Sequence, residues 1–209
     1  MTENAPHSNL SRPAGPGRPR QFDQDAALAA AMEVFWKHGY AGASIGTLIA
    51  AMGISRATLY ASFGDKEQLF KQVMELYERE KSAYMLDGLG QPTSRGVAEH
   101  LLRATINLRT NTASPKGSMG VVHSNAYAPG DEGIREHVLE KSRFWRARLL
   151  ERFERADREG DIPPTISARG LAMLLKATTD GLLVAASGGA SEEELNETVV
   201  TFLQMWPGR

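Results

Sequence analysis

Arg56, Thr58, Tyr60 and Ser62 crowd into the nine residues "SRATLYASF" (55–63), and Lys66 follows three residues after Phe63. None of them stands near a partner that would make it a nucleophile or a general base. Their chemistry is hydrogen bonding. The Arg guanidinium forks onto two acceptors at once, and the hydroxyls of Thr, Tyr and Ser both donate and accept. Leu59 and Phe63, spaced i and i+4, put one apolar edge on the same short helix. The polar side chains are then left to face outward, with Ala57 and Ala61 keeping the helix slim. Such a probe suits base edges and phosphate oxygens: Arg reaches guanine O6 and N7, Thr meets base edges, and Tyr and Ser suit phosphates.

The elements around this stretch position it. Asp23 caps a first helix whose apolar residues Leu28, Met32 and Phe35 recur at i, i+4 and i+7, and Gly39 stops it. Ser44 caps a second, short helix with Ile45, Leu48, Ile49 and Met52 on its buried face, ended by Gly53. Ser55 caps the third, ended by Gly64. Asp65 and Gln68 form a capping box for a fourth, expected over 65–86. A long helix, then two short ones joined by a tight turn, is the layout of a helix-turn-helix, whose second short helix enters the DNA major groove. At the start of the fourth helix Lys66 opposes the helix dipole, and a phosphate oxygen at that point would offset the cost. Ahead of the bundle, "GPGRPR" (15–20) offers Arg18 and Arg20 on a flexible arm of the kind that follows a minor groove.

Composition narrows the classes. The 209 residues are 42 % apolar and 23 % charged with a net charge of −1, so any basic surface must be local. There is no cysteine, which removes disulfides, thiolate metal sites and thiol sensing. No Walker loop, dinucleotide fingerprint, zinc-protease helix or nucleophile elbow occurs, and the five histidines lack metal-ligand spacing. The expectation is therefore not an enzyme, with no cofactor and no metal. No secretory leader is legible in the first 22 residues and no apolar run is expected to span a bilayer, so a cytoplasmic protein without a membrane partner is expected.

Beyond Asp87, loop signals such as "DGLGQPTSRG", "YAPGDEG" and "EGDIPP" separate helical stretches at about 95–110, 118–127, 131–158, 166–187 and 191–206. No strand alternation is found. The fold expected is all-α with about nine helices: a basic arm over 1–21, a helix-turn-helix unit over 22–66, and a helical body over 67–209. In the last helix Leu195, Val199 and Phe202 make a stripe wider than a lone surface helix needs. With Leu174, Leu182 and Ala185 of the helix before it, they form the expected homodimer interface. Asn107, His123 and Thr178 are the polar candidates for an effector pocket, with Met119, Phe144, Trp145 and Met173 as its walls.

The run from "FWKHGYAGAS" through "GISRATLYASFGDKEQLF", within residues 17–70, resembles the DNA-binding domain of the TetR/AcrR family of one-component transcriptional regulators. The resemblance implies a homodimer with two reading heads on double-stranded operator DNA. It further implies a body that binds a small-molecule effector and, usually, repression that the effector relieves. Carried across motif position by position, Ser44, Arg56, Thr58, Tyr60 and Lys66 match positions that commonly touch DNA, with Arg56 and Ser62 discriminating sequence. Ser55 completes the candidate set. Beyond residue 80 the likeness is architectural and assigns no effector residues. The alternative reading is a helical small-molecule-binding or interaction protein without sequence-specific DNA binding.

Overall fold

The computed structural model describes residues 23–81, 83–110, 119 and 131–208. Among the described residues there are nine helices and no strands. They are α1 (Gln24–Gly42), α2 (Ile45–Met52), α3 (Arg56–Phe63), α4 (Lys66–Lys81), α5 (Ala83–Leu89), α6 (Ser94–Thr110), α7 (Glu132–Arg158), α8 (Ala168–Ser187) and α9 (Glu192–Gln204). The all-α expectation holds. The span of the helix expected over 65–86 is occupied by α4 up to Lys81 and α5 from Ala83, and residue 82 between them lies outside the described residues. The stretch expected to be helical over 118–127 lies outside the described residues except for Met119.

Local rules start most of these helices. The Asp23 carboxylate accepts from Ala26 N–H at 3.1 Å to open α1, which loses helical geometry at Gly39. Ser44, Ser55, Ser167 and Ser191 each occupy an N-cap and accept an amide from the first turn. Such a cap is worth about 1 kcal/mol. In α9 the box is complete, because the Glu194 carboxylate returns to the Ser191 amide at 2.7 Å.

The helices pack around two apolar centres. In the first, Phe35 meets Phe70 edge to face at 5.0 Å and Trp36 meets Tyr77 at 5.3 Å, holding α1 against α4, with Leu48 and Leu59 beneath them. Met119 and two residues of α7, Ile134 and Val138, are buried in this same centre. The second gathers Leu101, Leu102 and Ile106 of α6, Leu149 and Phe153 of α7, Leu171, Leu175 and Leu182 of α8, and Leu195, Val199 and Phe202 of α9. With 27 residues, α7 is about 40 Å long at 1.5 Å per residue. It is the element that enters both centres.

Polar bonds fasten the far end. Trp206 Nε1 donates to Ser94 Oγ at 3.2 Å, the Asp161 carboxylate accepts from the Ser94 amide at the start of α6, and Arg152 Nη2 donates to the Gln91 carbonyl at 2.8 Å. By length and composition alone α8 is apolar enough to cross a membrane, a test that the core helix of a protein outside any membrane also passes. Its Leu171, Leu175 and Leu182 are buried in the second centre, while Met173, Leu174 and Val184 are exposed.

Candidate nucleic-acid interface

The turn between α2 and α3 rests on one glycine. Gly53 adopts φ 66°, ψ 30°, the left-handed region that L side chains avoid, and this reverses the chain within a few residues. Ile54 N–H returns to the Ile49 carbonyl at 3.2 Å, so the end of α2 is satisfied before Ser55 starts α3. Leu59 is fully buried and Phe63 is 2 % exposed, which seats α3 on the first apolar centre. Behind α3, Gln72 Nε2 donates to the Phe63 carbonyl at 3.0 Å, and Asp65 and Gln68 form the expected reciprocal cap of α4 at 2.8 and 3.3 Å. Gly64 joins the two helices at φ 78°, ψ −143°; a Cβ there would fall 1.6 Å from Gln68 Oε1. Only glycine keeps that junction.

On the outer side of α3, Arg56 is exposed and Tyr60 is 48 % exposed, with Ala57 and Ala61 exposed between them. Thr58 and Ser62 are half-buried. The reading of Thr58 as a free outward group is corrected: its Oγ1 lies 2.8 Å from Ser55 Oγ, in a bond either hydroxyl can donate. Ser44 and Thr47 repeat the arrangement at 2.9 Å on α2. In each pair the Ser oxygen also accepts a backbone amide. Of the pair's two hydroxyl hydrogens one is used internally, which leaves one for an acceptor outside. The Ser-x-x-Thr spacing carries this signal in the sequence and adds Thr47 to the residues of this face.

Lys66 does not simply extend into solvent. Its Nζ sits 4.4 Å from the centroid of the Tyr40 ring, a cation–π contact worth about 0.5–1 kcal/mol at an exposed site. Tyr40 is held in turn by Phe35 (6.2 Å, stacked) and Phe70 (5.2 Å, edge to face). Partial burial lowers the Lys66 pKa, and the Asp131 carboxylate opposes that shift. For Tyr40, burial raises the hydroxyl's pKa, and Asp131, Glu67 and Asp65 raise it further. The aromatic after the Gly39 stop belongs with the site, although nothing local in the sequence ties Tyr40 to Lys66. Arg18 and Arg20 lie outside the described residues.

The body residues scatter more than expected. Met119 is buried in the first apolar centre, the one that Ile134 and Val138 also enter. Phe144 and Met173 are exposed, as is Asn107, and His123 lies outside the described residues. Thr178 Oγ1 donates to the Leu174 carbonyl at 2.9 Å. Trp145 is half-buried, and its Nε1 donates at 2.7 Å to the Glu78 carboxylate, whose pKa burial raises. Of the residues expected at a dimer interface, Leu182, Leu195, Val199 and Phe202 are buried inside the protomer. The wide stripe of α9 is thus explained by contact with both α6 and α8. Leu174 (52 % exposed) and Ala185 remain outward, and Val184 (56 % exposed), Val200 and Met205 join them.

Comparison with known proteins agrees with this geometry. The family signature described as bacterial regulatory proteins, tetR family, matches residues 27–73, which covers α2, α3, most of α1 and the first half of α4. The HTH-type transcriptional repressor ComR of Escherichia coli K12 is 34 % identical over 196 residues, spanning 91 % of this chain and 92 % of ComR. The repressor AcnR of Corynebacterium glutamicum is 26 % identical over 183 residues, covering 82 % of this chain and 86 % of AcnR. Among solved structures, a cysteine mutant of the TetR family transcriptional regulator CifR, complexed with 26-base-pair double-strand operator DNA, superposes with a TM-score of 0.85 at 35 % identity. That match covers 91 % of this chain and all of the other. With the likeness running through head and body alike, the chain belongs to the TetR family of bacterial transcriptional regulators.

Proposed function

We propose that the protein is a cytoplasmic repressor that binds a two-fold symmetric operator as a homodimer and releases it when a small molecule occupies the body. The observation that carries this reading is the split character of α3: Leu59 and Phe63 are consumed by the core, while Arg56 and Tyr60 stand outside it. A helix seated so firmly, with an arginine and a tyrosine outward, is a probe for a surface rather than core filler. Arg56 would read a base edge, Ser62 would assist it at the groove, and Tyr60 with the free hydroxyl hydrogens of Ser44–Thr47 and Ser55–Thr58 would hold phosphates. Relatives of similar length are named repressors, and the CifR structure holds operator DNA. Two heads would meet successive major grooves about 34–36 Å apart, or a multiple of that.

For pairing, the outward residues of α8 and α9 are the proposed contact. Leu174, Val184, Val200 and Met205 are exposed apolar side chains beside a shallow groove of about 320 Å3 lined by Thr178, Gly181, Ala185 and Thr198. Small residues in that groove would let a partner helix approach closely. Leu174→Ala should weaken self-association by about 1 kcal/mol per protomer, read by sedimentation equilibrium, whereas Phe144→Ala should leave it unchanged. An effector would act where α4 meets α7, beside the Trp145–Glu78 bond.

Sheared genomic DNA retained by the protein and then sequenced tests the main reading. A recurring, inverted-repeat site is expected. Recovery of fragments with no preferred sequence would favour the alternative, a helical ligand-binding protein without operator recognition.

A further inference from the structure

At Gly39 the chain leaves helical geometry, with φ 70° and ψ 173°, and Tyr40 follows directly. Its ring is set against two core aromatics. Phe35, fully buried, lies nearly parallel to it at 6.2 Å with 12° between the planes, and Phe70, 1 % exposed, meets it edge to face at 5.2 Å. The Tyr40 residue is only half-buried, so part of the ring stays at the surface. The Lys66 ammonium stands over that ring, 4.4 Å from its centroid. Among the described residues Lys66 makes no hydrogen bond or ion pair. Its main chain is fixed as well: Gly64 turns the chain just ahead of it, and the Asp65–Gln68 box starts α4 at Lys66 itself. Ring and cation are thus each held from the core side, and they meet beside the end of α3.

We propose that Tyr40 is a positioning residue for DNA binding: its ring holds the Lys66 ammonium where a backbone phosphate meets it. A lysine ammonium is a compact charge with three donors on a flexible four-carbon stem. Left free, that stem would be ordered only when the duplex arrives, and the cost would be subtracted from the affinity. Resting on the negative face of an anchored ring, the ammonium is ordered beforehand. The choice of an aromatic also matters electrostatically. A carboxylate in its place would cancel the charge that draws DNA, whereas a neutral ring holds the cation and leaves its charge intact. The N–H groups turned away from the ring stay available to phosphate oxygens. Tyr40 acts through Lys66 and needs no contact of its own with the duplex. This inference rests on the DNA-binding reading.

The test uses the full chain, with the selected operator and an unrelated duplex of equal length, in a salt series around about 0.1 M. Tyr40→Leu keeps an apolar side chain but removes the π face. It should weaken binding to both duplexes by about three- to five-fold per head, the scale of an exposed cation–π contact. The slope of log affinity against log salt should flatten by up to about one unit. Tyr40→Phe keeps the face and should bind like the parent. Pentafluorophenylalanine in place of Tyr40 keeps the shape but inverts the ring's quadrupole, and it should lose as much as Tyr40→Leu. In a Lys66→Met background none of the three changes should cost anything further. If Tyr40→Leu melts well below the parent because Phe35 and Phe70 lose their neighbour, the fluorinated ring alone decides. A fluorinated ring that binds like the parent would overturn the proposal, as would a loss that persists without Lys66. Tyr40→Phe losing as much as the others would overturn it too, since the hydroxyl and not the face would then be at work. If the unaltered protein retains neither duplex, the DNA-binding reading itself fails, and that outcome is distinct because it needs no variant to be seen.

Discussion

Phe63→Ala is expected to unfold the N-terminal bundle while the second apolar centre stays folded. Phe63 is 2 % exposed, closes α3, and offers the carbonyl that Gln72 binds from α4. Truncating a buried phenylalanine costs about 3–5 kcal/mol, a large part of the about 5–15 kcal/mol that holds a typical domain together. The two apolar centres share no buried residue: Leu101, Phe153, Leu175 and Val199 lie in one and Phe35, Leu59 and Phe70 in the other. Calorimetry should therefore show a low-temperature transition shifted down or lost and a second transition little changed. Operator binding should disappear with the first. Tyr60→Ala, at a residue 48 % exposed, should leave both transitions in place. A Phe63→Ala protein melting like its parent would contradict the seat assigned to α3.

Much of the head was legible because its instructions are local. Asp23, Ser44, Ser55 and the Asp65–Gln68 box each act on an amide three residues away, and Gly39, Gly53 and Gly64 stop helices where they stand. Side chains that answer to distant neighbours were not legible. Leu182, Leu195, Val199 and Phe202 form a stripe that suits a dimer seam or a protomer core equally well, and only the placement of α6 decides for the core. Lys66 reads as an unpartnered cation until Tyr40, 26 positions earlier, is brought beneath it. Thr58 answers to a near neighbour: its hydroxyl, of a type that suits a base edge, shares a hydrogen bond with the capping Ser55.

Arg56→Ala should weaken operator binding by about 1–3 kcal/mol per head, the range for a bidentate contact to a base edge, and twice that for a dimer using both heads. Arg56 is exposed at the first position of α3 and, among the described residues, makes no hydrogen bond or ion pair. Its removal therefore disturbs nothing in the fold, and the melting temperature should not move. Affinity for an unrelated duplex should fall far less, and selection with the variant should recover sites degenerate at one position of each half-site. Lys66→Ala makes the control. Losing a phosphate contact should weaken all duplexes alike and flatten the salt dependence by about one unit of slope. Competition titrations across a salt series separate the two. If both variants lose the same affinity on operator and unrelated DNA, then Arg56 holds backbone rather than base. Sequence reading would then have to come from elsewhere on α3, with Ser62 the next position to change.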